Sequence, residues 1–137
     1  MTKKQKKRWL SKYYLMSLKI RMLRQQVEEL EDLALSSANI KPTPGSKHIG
    51  DPVQDNAIKV VDIIAKIEAE EQKALPIIAK IIDAINTVED PTEHSILTLR
   101  YVKCKRWEVI AQELSYSEQR IFQIYDQALL HIKIKPD

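Results

Sequence analysis

The stretch WEVIAQELSYSEQRIFQIYDQALLHI, residues 107–132, decides how the rest of the chain is read. Its first part, Trp107 to Leu114, carries apolar side chains at Trp107, Ile110, Ala111 and Leu114, the spacing of one buried helical face. Ser115-Tyr116-Ser117 interrupts that spacing. Ser117 is suited to cap a following helix, because its hydroxyl can accept a free backbone N–H. The second helix then has Ile121, Ile124, Ala128, Leu129 and Ile132 on one face, with Gln119, Arg120, Gln123, Asp126 and Gln127 around the remainder. Two short helices joined by a tight turn is a helix-turn-helix pattern. An ordinary helical hairpin satisfies the same spacing, so the pattern alone does not decide between scaffold and binding surface.

The close crossing of such a pair wants a small residue, which Ala111 supplies, and Ile110, Leu114, Tyr116, Ile121 and Ile124 are expected to fill the wedge. The second helix keeps a polar outer face able to enter a major groove with its N-terminal side chains toward the bases. Glutamine can pair in bidentate fashion with adenine and arginine with guanine. Ser117, Glu118, Gln119, Arg120 and Gln123 are therefore the candidate DNA-contacting residues. Arg100, Lys105 and Arg106, just before the first helix, are candidates for phosphate; a merely solvated Arg100 explains the sequence equally well.

Residues 96–132 resemble region 4 of bacterial sigma-70-type factors: ILTLRY at 96–101, EVIA at 108–111, then S-x-x-R-I-x-Q-I at 117–124 and Ala128-Leu129. The resemblance implies a helix-turn-helix whose second helix reads promoter-like DNA. It places Glu118, Gln119, Arg120 and Gln123 where that family contacts bases. Ser115 stands where glycine is common there, Glu118 where a basic residue is usual, and Phe122 is apolar on the reading face.

Composition sets the class. Of 137 residues 44% are hydrophobic, enough for a packed core, and only two are glycine, so the profile is helical. The net charge is +3, so the distribution is the better guide. Residues 1–24 hold nine Lys or Arg and no acid, residues 25–94 hold six against fourteen acids, and the remainder holds seven against five. Basic charge is thus concentrated at the two ends, a footprint for phosphate contacts. In the Lys3–Lys12 cluster a solubilising helix end is the commoner explanation, with a DNA or anionic-surface role as the alternative. The lone Cys104 fits a reducing cytosol, and no apolar run follows the Lys-rich start, so neither a secretory signal nor a membrane span is expected.

Upstream, Trp9, Tyr13, Met16, Ile20, Leu23, Val27, Leu30 and Ala34 recur in alternating steps of four and three, a heptad seam that predicts an uninterrupted long helix. KPTPGSKHIGDP at 41–52 holds both glycines and three prolines and reads as a linker, with Asp51 as cap and Pro52 as first residue of the next helix. A second seam runs Val53, Ala57, Val60, Ile64, Ile67, Glu71, Ala74, Ile78, Ile81, Ile85 and Val88, with Pro76 expected to kink or split it. The two seams predict either a hairpin within one chain or a dimeric bundle. Asp90-Pro91-Thr92-Glu93 predicts a further helix start, Asp90 capping and Glu93 reaching back. That helix would roof the following pair and complete a three-helix unit, leaving Lys133–Asp137 as a frayed tail.

The expected architecture is therefore all-α. A helical oligomerisation region spans residues 1–89, with its linker at 40–52, and a helix-turn-helix domain spans 90–137. The whole order, including K-P-x-P-G-S, G-D-P and A-I-K-V-V-D at 57–62, resembles phage transcriptional regulators of the RinA/ArpU type. That resemblance implies activation of phage late or packaging genes in the bacterial cytoplasm, by a homo-oligomer, such as a dimer, on double-stranded DNA. Two other functions fit the same organisation: a small terminase-type packaging subunit, and a module that binds RNA polymerase without touching DNA. His48, His94 and His131 have no ligand partners at metal spacing, there is no Gly-rich phosphate loop, and no nucleophile, base and orienting group assemble. No catalytic site, metal or cofactor is expected.

Overall fold

The computed structural model describes residues 1–38 and 52–135. Among them there is helix and no strand: α1 (Lys3–Leu10), α2 (Lys12–Ala38), α3 (Pro52–Ile85), α4 (Pro91–Leu97), a π-helical turn (Thr98–Val102), α5 (Trp107–Leu114) and α6 (Glu118–His131). The chain is all-α, as composition predicts. Most of the expected linker and the Asp51 cap lie outside the described residues, while α3 does begin at Pro52.

Contacts divide the chain into two compact units, Met1–Met16 with Ala74–Asp137, and Ser17–Lys73. The first unit extends beyond the 90–137 span read from the sequence, and its core shows why. Trp9 and Leu10 of α1 and Ile81, Ala84 and Ile85 of α3 bury in the same cluster as Ile96, Leu97, Ile110, Ile121 and Leu129. Leu10 is fully buried, and burial of such a side chain contributes about 1.5–3 kcal/mol, enough to hold α1 to the rest.

Local chemistry fixes where these helices start and stop. Thr2 and Gln5 form a reciprocal capping box at the start of α1, with Gln5 N–H to Thr2 Oγ1 at 3.1 Å and Thr2 N–H to Gln5 Oε1 at 2.8 Å. Ser11 then separates α1 from α2, where an uninterrupted helix was expected. Its hydroxyl donates back to the Lys7 carbonyl at 2.7 Å beside the Ser11 N–H at 3.0 Å, a back-bond of the kind that bends a helix without breaking its ladder. Pro76, in contrast, does not split α3. Pro76 and Gln72, whose carbonyl loses its partner, are both exposed, so water can satisfy that carbonyl.

Asp90 caps α4 by accepting the Glu93 N–H at 2.9 Å, with Pro91 at the first helical position, as its sequence predicts. The expected return bond from Glu93 is not made. The buried Glu93 carboxylate instead takes His131 Nδ1 at 2.8 and 3.0 Å, tying the start of α4 to the end of α6. Of the tail expected to fray, residues 133–135 are described and are docked, while Pro136 and Asp137 lie outside the described residues. Lys133 N–H donates to Thr87 Oγ1 at 3.0 Å, and Ile134 packs on the core.

In the second unit the α2 seam is the covered face: Ile20, Leu23, Val27, Leu30 and Ala34 are half-buried, while Met22, Leu33 and Leu35 are exposed. On α3 the covered stripe is Val60, Ile63 and Ile67, and the expected Ala57 and Ile64 are exposed. The stripe keeps the seven-residue repeat through Val60, Ile67 and Ala74, but its second row runs through Asn56, Ile63 and Glu70, one position before the expected Ala57, Ile64 and Glu71. Lys19 Nζ lies 3.2 Å from Glu70 Oε1, and Arg24 pairs with Glu71, so these parts of α2 and α3 are joined within one chain. The Lys19 ammonium holds the Glu70 carboxyl below its ordinary range.

Candidate functional site

The site is built on the turn between α5 and α6. Arg106 precedes α5 with extended backbone, and its carbonyl accepts the first bonds from Val109 and Ile110. At the far end Ser115 adopts the left-handed conformation, φ 59 and ψ 40, which lets Tyr116 N–H close onto the Ala111 carbonyl at 3.0 Å. This is the position where glycine would be unstrained. Ser117 then caps α6, its hydroxyl accepting the Arg120 N–H at 3.1 Å. Ile110 and Ile121 are fully buried and Ala111 nearly so, as the wedge requires. Tyr116, expected in that wedge, is 42% exposed, because the left-handed turn directs the chain outward before α6 begins.

The polar face of α6 points outward. Ser117, Glu118, Gln119, Arg120 and Gln123 are all exposed, and they lie within the cap and first turns of one helix. Arg120 Nη1 donates to Gln123 Oε1 at 3.2 Å, which leaves the Gln123 amide nitrogen and the other guanidinium N–H groups pointing away from that bond. The first turn of a helix carries unpaired N–H groups and a partial positive charge, so hydrogen-bonding side chains there are presented on a rigid, polar end.

Three cationic candidates fare differently. Lys105 and Arg106 are exposed. Arg100, expected either to bind phosphate or to be solvated, is half-buried and engaged by its own unit. Its guanidinium lies 4.6 Å over the Trp107 ring, and Nη1 donates to the Lys105 carbonyl at 3.1 Å. It shapes the segment that carries Lys105 after the π-helical turn, where Cys104 is left-handed at φ 55.

No protein-family model, curated protein or solved structure matches the chain. Its chemistry is therefore argued from its own residues. An aromatic cluster backs the outer face of α6: Trp107 meets Tyr125 edge-on at 4.7 Å and Phe122 at 5.1 Å, and the Tyr101 and Tyr125 hydroxyls are hydrogen-bonded in the interior. Burial pushes both phenols up from the ordinary tyrosine value. Tyr125 stands four residues after Ile121 and three before Ala128, so helical spacing marks it as a core residue that a purely aliphatic reading of the face passes over.

The basic N-terminus takes part as well, which local sequence signals do not show. Lys6 Nζ donates to the carbonyls of Leu129 at 2.6 Å and Ile132 at 3.2 Å, closing the end of α6, and Lys7 lies 5.6 Å over the Tyr125 ring. Among the described residues no three His, Cys, Asp or Glu side chains gather as metal ligands, and no helix is long and apolar enough to cross a membrane.

Proposed function

We propose that this chain is a sequence-specific DNA-binding transcriptional regulator in which α6 enters the major groove and α5 braces it. Support comes chiefly from one observation: Gln119, Arg120 and Gln123 stand exposed at the capped N-terminal end of a helix anchored by fully buried Ile121 and Leu129. Amide and guanidinium groups held rigidly in a row are the chemistry that reads base edges. The RinA/ArpU resemblance adds the narrower role of a phage late-gene activator. Phe122, the apolar residue on this face, packs against Trp107, so it needs no polymerase surface to account for it.

The regulator is proposed to act as a dimer, with the helical segments holding two α6 helices at fixed spacing over two half-sites. Bound duplexes selected from a random pool should converge on a paired motif, and the complex should have the mass of two chains. Gln123→Ala and Arg120→Ala should each weaken binding to that site by about 1–3 kcal/mol, with helical content unchanged. Equal binding by parent and variants removes those side chains from recognition. A large ring in solution points to the packaging subunit instead.

A further inference from the structure

The cluster of lysines on α1 has no part in the reading just given, yet the fold places it beside α6. A cleft of 390 Å³ has Lys7, Ser11 and Tyr14 on one side and Arg100, Phe122 and Asp126 on the other. Phe122 and Asp126 occupy the flank of α6 adjoining Gln119 and Gln123, because positions three and four apart share a helical face. Lys3 and Lys4 lie one turn before Lys7 on the same side of α1. All three lysines are exposed, and neither the Lys3 nor the Lys4 side chain makes a hydrogen bond or ion pair among the described residues. Lys6 does the anchoring, through the Leu129 and Ile132 carbonyls, so this stripe is held at a fixed place against α6 rather than on a free arm.

We propose that the groove between α1 and α6 seats one phosphodiester strand of the duplex, with Lys3, Lys4 and Lys7 paired to successive phosphates while α6 lies in the adjacent major groove. This rests on the DNA-binding reading and adds a second, sequence-independent surface to it. Asp126 is the one acidic side chain in the cleft. It sits on the α6 wall, across from Lys7, where it disfavours a phosphate on its own side and leaves the strand to α1, whose Lys3 and Lys4 continue the basic side one turn beyond the cleft. Lysine suits the task as a mobile point charge that binds phosphate without demanding one geometry. Phosphate contacts of this kind set position and affinity and carry no base preference.

The test is the salt dependence of binding to the selected duplex and to a duplex of scrambled sequence. Each lysine–phosphate pair releases condensed counterions and contributes about 0.9 to the slope of log Kobs against log salt. Lys3→Gln/Lys4→Gln should flatten the slope by about 2, and adding Lys7→Gln by about 3, equally on both duplexes and without change in base preference. Lys59→Gln, an exposed charge on α3 in the other compact unit, should leave the slope as it is. An unchanged slope in the double variant overturns the proposal while leaving base reading by α6 intact, and so does an equal flattening by Lys59→Gln. The double variant avoids the Lys7–Tyr125 contact, so its effect is not one of folding. Failure of the parent protein to bind any duplex overturns both this groove and the function proposed above.

Discussion

Lys6 Nζ lies 2.6 Å from the carbonyl oxygen of Leu129, bringing together residues 123 positions apart. The last carbonyls of a helix lack intrahelical donors and carry partial negative charge, so an ammonium there satisfies acceptors and opposes the dipole at once. Lys6 is half-buried, and a hydrogen bond from a charged group in such a place contributes about 1–2 kcal/mol. Lys6→Met keeps the aliphatic stem and removes the charge. It should lower stability by that amount in urea unfolding, with loss of α1 protection in hydrogen exchange; an unchanged midpoint would remove Lys6 from the docking of α1.

Ser115 is the next candidate, because it holds φ 59 with a side chain attached. A β-carbon in the left-handed region costs about 1 kcal/mol relative to glycine. Ser115→Gly should therefore raise stability by about 0.5–1 kcal/mol, while Ser117→Ala, which loses the cap two residues later, should lower it by about 1 kcal/mol. Opposite signs at two serines in one turn are easily read by thermal unfolding, and a destabilising Ser115→Gly would contradict the backbone assignment.

These two serines also show how much of the site is legible in the sequence. Ser117, Asp90 with Pro91, and the Ile110/Ile121 wedge follow from local rules, because caps and helical faces are set by residues within a turn of one another. Helix existence, the seam on α2 and the outward row on α6 are legible for the same reason. What escapes is long-range: Lys6 on Leu129, Glu93 on His131 and Arg100 on Trp107 depend on which surfaces meet, and their neighbours in sequence do not signal it. The extent of the compact unit escapes for that reason too, since Trp9 and Ile81 look like ordinary seam residues until they bury beside Ile96. Pro76 is a different case, where a sound local penalty is offset because the orphaned carbonyl faces water.

Alkaline pH probes the interior. Burial raises the phenols of Tyr101 and Tyr125, so the fold favours their neutral forms, whereas an unfolded tyrosine ionises near about 10. The unfolded chain thus loses protons first, and stability should be level below that pH and fall as pH rises through it. Phenolate absorbance should show two of the five tyrosines ionising only as the helical signal is lost. Tyr125→Phe should leave the buried Tyr101 hydroxyl without its partner and cost about 1–3 kcal/mol at neutral pH. Full ionisation of all tyrosines with the helix intact would be inconsistent with a buried pair.

Phe122 and Leu130 are both large, apolar and exposed on α6, at 42% and 57%, but only Phe122 has an aromatic partner, Trp107 at 5.1 Å. An aromatic pair of this geometry contributes about 0.5–1.5 kcal/mol beyond the area it covers. Phe122→Ala should thus destabilise the first unit by about 1 kcal/mol and shift the fluorescence of Trp107, one of two tryptophans, toward that of a wetter indole. Leu130→Ala should stay within about 0.5 kcal/mol of the parent, as surface changes away from packed features do. Neither substitution should alter which duplex is selected, since both leave Gln119, Arg120 and Gln123 in place. If Leu130→Ala instead cost as much as Phe122→Ala, the exposed leucine would have to be covered in solution, and α6 would have a protein partner on its far flank.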